Sequence, residues 1–416
     1  MRDIMDYYLL VDMATELGYE LAMSGAETFR VEDSIHRVLK TYGIESEIFA
    51  ITNCLTVSIE APNGKPLTRM RRIGYHGNNM EAVERYNALS RRICTERPDA
   101  ETAIGWLKDT KAACRLYSLP MRLLGDAVGS FGFSLFFGGT VLDGLWAAVC
   151  GIVIGLVSKV TDDLNSNPFF STIASSFCMA LVAYIVAGLG LTDNVDTVII
   201  GALMILVPGL LFTNSMRDII YGDTNSGINR LVQVILIAVA IALGTAAAWQ
   251  LTSPIWGQPG GADIVTYPFF THCLVSLIGC IGFAIYFNVH GMGVPLCAIG
   301  GMLTWAVYLI AEYFGAGIIA ANFWAAVFAS AYAEIMARAR KYPAISYLVV
   351  AAFPLLPGAG IYYTMSYILQ NNTDMAWQKG TETAGIAGVM AVGILLVSTL
   401  VRLFYVWKNK RKSHNY

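Results

Sequence analysis

The sequence predicts an all-α polytopic membrane protein with ten transmembrane helices in two inverted five-span repeats, preceded by a small α+β cytoplasmic domain. Three observations lead to this prediction. The 416 residues are 56% hydrophobic and 14% charged, with a mean hydropathy of +0.54, which is outside the usual balance of soluble globular proteins. More than half of the charged residues lie in the first 120 positions. Within the apolar remainder, two stretches of sequence resemble each other.

The first 120 residues form the predicted cytoplasmic head. They contain 15 of the chain's 28 Lys/Arg and 17 of its 30 Asp/Glu. Apolar residues at helical spacing predict a first helix over 5–22, which Ser24-Gly25 ends. The other predicted elements are a helix over 28–42, strands over 44–51 and 53–61, a turn at Pro62-Asn63-Gly64, a third strand with Leu67, Met70 and Ile73, and helices over 79–95 and 99–117.

After about Pro120 the chain is a series of apolar runs of roughly 18–25 residues, long enough to cross the hydrocarbon core of a bilayer. They predict ten spans, near 123–141, 143–160, 169–190, 195–214, 230–251, 268–287, 292–311, 316–336, 344–369 and 383–406.

The two similar stretches lie 149 residues apart. Residues 206–224 and 355–373 agree at six of 19 positions, and each stretch begins with a proline-glycine pair, Pro208-Gly209 or Pro357-Gly358. A second set of matches has almost the same offset of 150, and it pairs Gly132, Phe133 and Phe137 with Gly282, Phe283 and Phe287. These matches predict a first repeat over 121–251, a second over 268–407 and a basic tail over 408–416. Such duplication is typical of secondary transporters.

The distribution of basic residues predicts the orientation in the membrane. With the head in the cytoplasm, twelve Lys/Arg fall on the inner side and only Lys379 on the outer side. Five is an odd number of spans, so the second repeat enters the membrane from the opposite face. Met1-Arg2-Asp3 leads into an acidic amphipathic stretch, not a signal peptide. We therefore expect a multi-pass protein of the plasma (inner) membrane with both termini in the cytoplasm.

Charge and cysteine usage exclude several classes of protein. The net charge of −2 argues against a nucleic-acid partner. Eight scattered cysteines, without a C-x-x-C motif or a His/Cys cluster, predict neither disulfides nor a metal site. The sequence predicts no cofactor and no enzymatic activity.

The segment Ser24-Gly25-Ala26-Glu27-Thr28-Phe29-Arg30-Val31-Glu32 resembles the signature of a known family, the threonine/serine exporters (ThrE). The resemblance extends to head length, span count and proline-glycine segments. It implies a cytoplasmic head before two five-span modules and export of threonine and serine. Some members carry the modules on separate chains and are associated with export of dicarboxylates such as succinate. This chain looks like the fused form.

The signature itself has three interpretations. As a structural corner, Ser24 and Glu27 form a capping box, and Arg30 and Glu32 pair with their neighbours. As a cytoplasmic gate, the segment contacts the inner mouth of the transporter. The gate residues would be Ser24, Gly25, Glu27, Thr28, Arg30 and Glu32. As a hydrolase site, Ser24 would be a nucleophile with Asp33 and His36, although no G-x-S-x-G elbow is present.

The proline-glycine segments are the candidate substrate site. Proline removes a backbone donor and glycine weakens a helix, so the pair breaks or kinks each span. Unwound backbone at membrane depth is tolerated where it lines a cavity, and its free amides can bind a carboxylate. The predicted substrate-binding residues are Pro208, Gly209, Asn214, Ser215, Pro357, Gly358 and Thr364. The alternative is a pair of packing kinks without a ligand.

Few ionisable residues lie in the predicted spans. Asp126, Asp218 and Glu334 are the candidates for proton coupling, because charged groups at membrane depth tend to face cavities. Asp126 has no sequence-local partner except Arg122. Asp218 follows Arg217. Glu334 precedes Arg338 by one helical turn, which also fits a surface ion pair.

The sequence therefore predicts a secondary transporter that exports small hydrophilic metabolites. Threonine and serine, moved by proton-motive-force-driven antiport, are the expected substrates. The alternatives are a dicarboxylate exporter of the succinate type and, from another class, a membrane-anchored enzyme with a hydrolase-like head. The expected partners are the small-molecule substrate, protons and the lipid bilayer. The question of a homo-oligomer is left open.

Overall fold

The computed structural model describes residues 2–61, 64–74, 77–192, 194–257 and 264–413. The chain divides into two compact units. The head unit contains the residues up to Tyr117 together with two later segments, Phe287–His290 and Met336–Ser346. The membrane unit contains the remaining residues. The first two residues of the predicted turn at Pro62-Asn63-Gly64 lie outside the described ranges.

The head unit consists of four helices and a three-stranded antiparallel sheet. Its elements are α1 (Arg2–Met23), α2 (Thr28–Thr41), β1 (Ser46–Ile51), β2 (Cys54–Glu60), β3 (Pro66–Arg72), α3 (Met80–Glu96) and α4 (Ala100–Ala113). The strand order is β1-β2-β3, and Val57 pairs with Ile48 on one side and Arg69 on the other. Alternate β2 residues, Leu55, Val57 and Ile59, are buried, as a half-buried strand requires.

The corner between α1 and α2 differs from the predicted capping box. Glu27 is the N-cap residue of α2 and makes no side-chain capping bond. The Ser24 hydroxyl instead donates to the carbonyl of Glu20 at 2.7 Å, because a serine at the end of a helix readily bonds back to the preceding turn. Gly25 has a φ of +91°, and a side chain there would also lie 2.8 Å from Asn78 Oδ1. This position therefore requires glycine.

Phe287–His290 belongs to the head unit through a dense set of hydrogen bonds. The Asn288 side chain donates to Asn79 Oδ1 at 2.7 Å and to the Arg115 carbonyl at 2.9 Å, and it accepts from the Tyr117 amide at 3.0 Å. The Tyr117 hydroxyl donates to the Val289 carbonyl at 2.9 Å. Asn79 in turn donates its amide to the Ser24 carbonyl at 2.9 Å. The signature corner and this segment are thus joined through one residue.

The described part of the membrane unit contains helices and no strands. Its helices are α5 (Leu119–Phe136), α6 (Val141–Asp163), α7 (Pro168–Gly188), α8 (Val195–Leu203), α9 (Gly209–Tyr221), α10 (Thr224–Trp256), α11 (Phe269–Tyr286), α12 (Gly293–Tyr313), α13 (Ile318–Arg340, which ends in the head unit), α14 (Ala344–Ala351, which begins in the head unit), α15 (Gly358–Leu369) and α16 (Thr373–Ser413), with a 3-10 turn at Phe353–Leu355.

Among the described residues, seven helices are long and apolar enough to cross a membrane. The bent pair formed by α14 and α15, with an angle of 44°, raises the number to eight if it is one span. The chain is therefore a multi-pass membrane protein. The predicted count of ten would also require α5 and the pair α8–α9 to cross, and it stays a prediction.

Helices α5 and α11 cross in an antiparallel pair with reciprocal glycine contacts. A Cβ atom added to Gly132 would lie 2.5 Å from Gly279 Cα, and one added to Gly282 would lie 2.5 Å from Gly129 Cα. The two contacts use equivalent positions, 150 residues apart. Glycines allow such close backbone approach between membrane helices.

A second pair of helix packings repeats at offsets of 149 and 150 residues. The added Cβ of Gly244 in α10 would meet the Ile173 carbonyl of α7 at 2.6 Å. The added Cβ of Gly393 in α16 would meet the Phe323 carbonyl of α13 at 3.2 Å. Equivalent residues in the two halves of the membrane unit thus make equivalent contacts.

Candidate functional site

The two proline-glycine motifs have the same backbone geometry. Pro208 ends the break between α8 and α9 with φ −83° and ψ 43°, and Pro357 ends the break between the 3-10 turn and α15 with φ −76° and ψ 41°. The glycine amide bonds to the carbonyl two residues back in both motifs, at 3.0 Å for Gly209 and 2.7 Å for Gly358. The similarity in sequence therefore corresponds to a similarity in structure.

The two motifs lie against each other. A Cβ atom added to Gly209 would be 2.9 Å from Leu356 Cβ and 3.7 Å from Gly358 Cα. One added to Gly358 would be 2.9 Å from Val207 Cγ1. Val207 and Leu356 are themselves equivalent positions, so the contact is reciprocal. Both glycines are buried, and the contact is closed in this structure.

Each motif starts a helix whose first amides have no backbone acceptor in the described structure. Neither Pro208 nor Pro357 makes a side-chain capping bond. Within the described chain, no backbone carbonyl accepts from the amides of Leu210, Leu211, Ala359 or Gly360. Unpaired amides and the helix dipole make a helix N-terminus favourable for an anion. Two such ends meet at the contact between Gly209 and Gly358.

Of the three polar side chains predicted for the site, those of Ser215 and Thr364 already donate hydrogen bonds to backbone carbonyls. The buried Ser215 hydroxyl donates to the Gly227 carbonyl of α10 at 2.6 Å. The Thr364 hydroxyl donates to the Gly360 carbonyl of its own helix at 2.7 Å. Asn214 is half-buried. In this structure Ser215 serves the packing of α9 on α10, and the contact between the motifs consists of backbone and apolar groups.

Sequence reasoning missed Asp196, an acidic residue in the first turn of α8. It is exposed, and its carboxylate interacts electrostatically with the hydroxyl groups of Tyr184 in α7 and of Tyr362 and Tyr363 in α15. Tyr362 lies one turn after Gly358. The available signal was a single carboxylate inside a predicted span, at 195–214.

Asp126 of α5 is buried against the neighbouring helix α6. Its side chain is 6% exposed, and within the described part of the chain its Oδ1 atom has no hydrogen-bond partner. Arg122, one turn earlier, is the charged group that interacts with it. On α6, Gly155 faces the carboxylate. A carboxylate in such surroundings is expensive to keep ionised.

The other two candidate carboxylates differ from Asp126. Asp218 of α9 pairs with Arg230 of α10 at 3.3 Å, with Arg217 at 4.0 Å. All three side chains are about nine-tenths buried. Glu334 of α13 is half-buried and has an interaction partner. Asp126, Asp218 and Glu334 lie on three different helices, α5, α9 and α13.

Known proteins similar to this chain are transporters. Residues 12–252 match the family model ThrE, described as "Putative threonine/serine exporter", and residues 272–400 match a second model, "Threonine/Serine exporter, ThrE". The first match alone covers more than half of the chain. The chain belongs to the threonine/serine exporter family.

Two members of the threonine/serine exporter family align with nearly the whole chain. A threonine/serine exporter of Corynebacterium glutamicum is 22% identical over 405 residues, which cover 94% of this chain and 82% of the relative. A protein named probable threonine/serine exporter from Mycobacterium tuberculosis (strain ATCC 25618 / H37Rv) is 21% identical over 407 residues, covering 93% and 75%. No solved structure matches the chain.

The exporter descriptions of the family and of these relatives agree with the prediction that the chain is not an enzyme. The three residues of the hydrolase interpretation are engaged elsewhere. Ser24 bonds to Glu20, Asp33 pairs with Arg37 at 2.8 Å, and His36 lies 3.5 Å from the Ser46 hydroxyl. In the signature, Glu32 accepts from the Ala50 amide at 2.9 Å, while Arg30 Nε is buried without a hydrogen bond in the described structure.

Proposed function

We propose that this member of the threonine/serine exporter family exports threonine and serine by proton antiport. The observation that carries the proposal is the reciprocal contact of Pro208-Gly209 with Pro357-Gly358. A transporter with inverted repeats places its substrate at the interface of the repeats, beside broken helices. Here the starts of α9 and α15, whose first amides have no backbone acceptor in the described structure, contact each other at the equivalent positions Gly209 and Gly358.

The proposed architecture has ten spans in two inverted repeats. The protein would lie in the inner membrane, with both termini in the cytoplasm. The antiparallel crossing of α5 and α11 through Gly129, Gly132, Gly279 and Gly282 supports inversion. An inverted pair of repeats can exchange conformations, which opens one central site to either side. The closed contact between Gly209 and Leu356 would separate when substrate enters.

The substrate carboxylate would bind to the amides that begin α9 and α15, because both helix ends favour an anion. The ammonium group of the same amino acid would face Asp196, whose carboxylate interacts electrostatically with Tyr184, Tyr362 and Tyr363. Asn214 and Thr364 are the proposed contacts for the substrate hydroxyl. A carboxylate near the site supports an amino acid over a dicarboxylate, because a second substrate carboxylate would be repelled.

The proton would be carried by Asp126, which is buried and lacks a hydrogen bond at Oδ1 in the described structure. Neutralising the carboxylate removes the cost of a charge at membrane depth. Release of the proton on the cytoplasmic side would then accompany the return of the empty carrier. Asp218 and Glu334 are the further candidates for this role.

Two buried arginines favour a second candidate, export of dicarboxylates. Arg217 and Arg230 both lie beside Asp218, so this cluster carries one net positive charge. It could balance a second substrate carboxylate if the transport path reaches α9 and α10.

Counterflow in proteoliposomes separates the two candidates. Vesicles loaded with unlabelled threonine, serine or succinate are placed in the same labelled compound, and uptake against the gradient is followed. We expect threonine and serine to exchange and succinate to remain outside. Exchange of succinate alone would replace the proposal by dicarboxylate export. Protein-free vesicles are the control for leakage.

A further inference from the structure

One face of α5 carries three buried polar side chains at intervals of four residues. They are Asp126, Ser130 and Ser134, with exposures of 6%, 0% and 0%. Within the described residues, Asp126 Oδ1, Ser130 Oγ and Ser134 Oγ have no hydrogen-bond partner. Four residues of helix span about 6 Å, so these groups follow the helix in equal steps.

Some buried hydroxyls of the membrane helices bond to their own helix, and others, those of Thr213, Ser226, Ser276 and Thr304, have no hydrogen-bond partner among the described residues. Ser176 of α7 is also fully buried, and its hydroxyl donates to the Thr172 carbonyl at 2.8 Å. Thr245 of α10 donates to the Ile241 carbonyl at 3.0 Å. Serine and threonine in helices ordinarily bond to the preceding turn in this way. Because Ser130 and Ser134 do not, their hydroxyls are available to another group, and ordered water commonly satisfies such buried atoms.

The second repeat indicates what helix packing alone requires. The residues equivalent to Asp126, Ser130 and Ser134 are Ser276, Cys280 and Ala284, 150 positions later. Gly301 faces Cys280 as Gly151 faces Ser130, and Cys280 Sγ donates to the Val350 carbonyl at 3.8 Å. The second repeat therefore has a hydroxyl, a thiol and a methyl group at these positions, and the Ser276 hydroxyl is also buried without a hydrogen-bond partner among the described residues. The Asp126 carboxylate and the Ser134 hydroxyl are the polar groups that α5 has in addition.

The row of polar groups continues to α8. A Cβ atom added to Gly139 would lie 2.9 Å from Ser134 Oγ and 2.8 Å from Thr197 Oγ1, so these two hydroxyl oxygens are less than about 6 Å apart. Thr197 donates to the Asn194 carbonyl at 2.8 Å and follows Asp196, which is exposed. At the other end, Arg122 is the charged group that interacts with Asp126. Gly155 of α6 faces the carboxylate, and Gly282 and Ile285 of α11 face Gly125.

We propose that Thr197, Ser134, Ser130 and Asp126 form the proton path of the antiporter, completed by internal water and separate from the proline-glycine substrate site. A spacing of about 6 Å matches one water between two hydroxyls, with two hydrogen bonds of about 2.8 Å each. Each hydroxyl or water accepts a proton on one side and gives one up on the other, so it is unchanged. Asp126 accepts the last proton as a neutral carboxylic acid and releases it to the cytoplasm. The proposal rests on the proposed antiport.

The test uses a variant that copies the second repeat, Ser130→Cys with Ser134→Ala. Proteoliposomes hold a pH-sensitive dye and threonine, and two rates are measured, threonine counterflow and threonine-dependent proton flux. We expect the variant to keep counterflow within twofold of the parent and to lose proton flux more than tenfold. Ser176→Ala, which removes a buried hydroxyl already bonded to its own helix, should change neither rate more than twofold.

The outcomes separate the proton path from the antiport itself. If the parent couples threonine to protons and the double variant does so at the parent's rate, the path is wrong and the antiport stands. If the variant loses both rates in proportion, the serines are structural and the path is again wrong. If the parent exchanges threonine without proton flux, the proposed antiport and the path fail together.

Discussion

The side-chain amide of Asn288 donates to the side-chain oxygen of Asn79 at 2.7 Å, although 209 residues separate them in the chain. Asn288 has a φ of +56°, a conformation that asparagine tolerates better than most residues. Its amide and carbonyl groups also bond to the main chain at Arg115 and Tyr117. One side chain therefore fixes a segment between two membrane helices to the start of α3 and the end of the head.

Asn288→Gly should destabilise the head unit. Glycine keeps the positive φ but removes the side chain that makes part-buried hydrogen bonds to Asn79, Arg115 and Tyr117, and each lost bond costs about 0.5–1.5 kcal/mol. Thermal unfolding in detergent measures the change. Asn371→Gly is the matched control, because Asn371 has a φ of +58° and is exposed. Equal stability of the two variants would contradict a structural role for the Asn288 side chain.

Glu84 should make the head unit less stable at alkaline pH. Burial raises the pKa of Glu84 from 4.5 to about 7, although Arg340 and Ser346 oppose the shift. A carboxyl with a raised folded pKa stabilises fully below 4.5, and this stabilisation is lost as pH rises through about 7. Glu84→Gln should match the parent near pH 5 and melt at a higher temperature near pH 8. The exposed Glu101→Gln is the control, and a constant difference at all pH values would contradict the assignment.

Gly209→Leu and Gly358→Leu should each reduce threonine counterflow more than tenfold. The first carbon of the new side chain would lie 2.9 Å from Leu356 Cβ or Val207 Cγ1, so the larger chain prevents the two motifs from meeting. Pro208→Ala should slow transport less. In Gly388→Leu nothing described lies within 4 Å of the added Cβ, so counterflow should persist. Inserted leucine variants that bind threonine as tightly as the parent would reduce the motifs to packing kinks.

Asp126→Asn should abolish proton-driven accumulation of threonine while counterflow continues. The amide has the shape of the carboxylic acid but does not exchange a proton. Accumulation under an imposed pH gradient is the measurement. Asp374→Asn, at the exposed start of α16, should behave like the parent. Accumulation at the parent's rate in Asp126→Asn would assign proton transfer to another carboxylate, with Asp218 and Glu334 the next to replace.

The inverted topology can be tested by cysteine labelling from outside the cell. In a background without the eight native cysteines, Asp374→Cys should react with a membrane-impermeant maleimide, and Asp223→Cys should react only after permeabilisation. A cysteine in the C-terminal tail should also react only after permeabilisation. A cysteine at Asp263, which lies outside the described residues, should react from outside. External labelling at Asp223 would contradict opposite orientations of the two repeats.

Local sequence patterns predicted the helices and strands of the head and the places where spans break. Hydrophobic periodicity placed α1 and α2 within a few residues, because the period alone determines which face is buried. The proline-glycine pairs predicted breaks at Pro208 and Pro357, because proline and glycine act on their own turn of helix.

Distant partners could not be predicted from one sequence. The Ser24 hydroxyl could accept from the Glu27 amide, as in a capping box, or donate to the preceding turn, and in the structure it donates to the Glu20 carbonyl. Asn288 lies in a short loop, and its partners are 171 to 209 residues away. Arg230 pairs with Asp218 across two helices. The burial of the polar face of α5 depends on Gly151, Gly155 and Gly201, which lie opposite it on distant segments of the chain.

The three-segment composition of the head unit has a consequence for biogenesis. The ribosome delivers α1 to α4 first, yet Phe287–His290 and Met336–Ser346 belong to the same unit. Until His290 has been synthesised, Asn79, Arg115 and Tyr117 lack their partner segment. The head is thus begun first and has all its segments only after Ser346. Complete folding of the head should therefore indicate correct insertion of the second repeat. A nascent chain that stalls before α13 should have an incompletely folded head, which quality-control proteases can recognise.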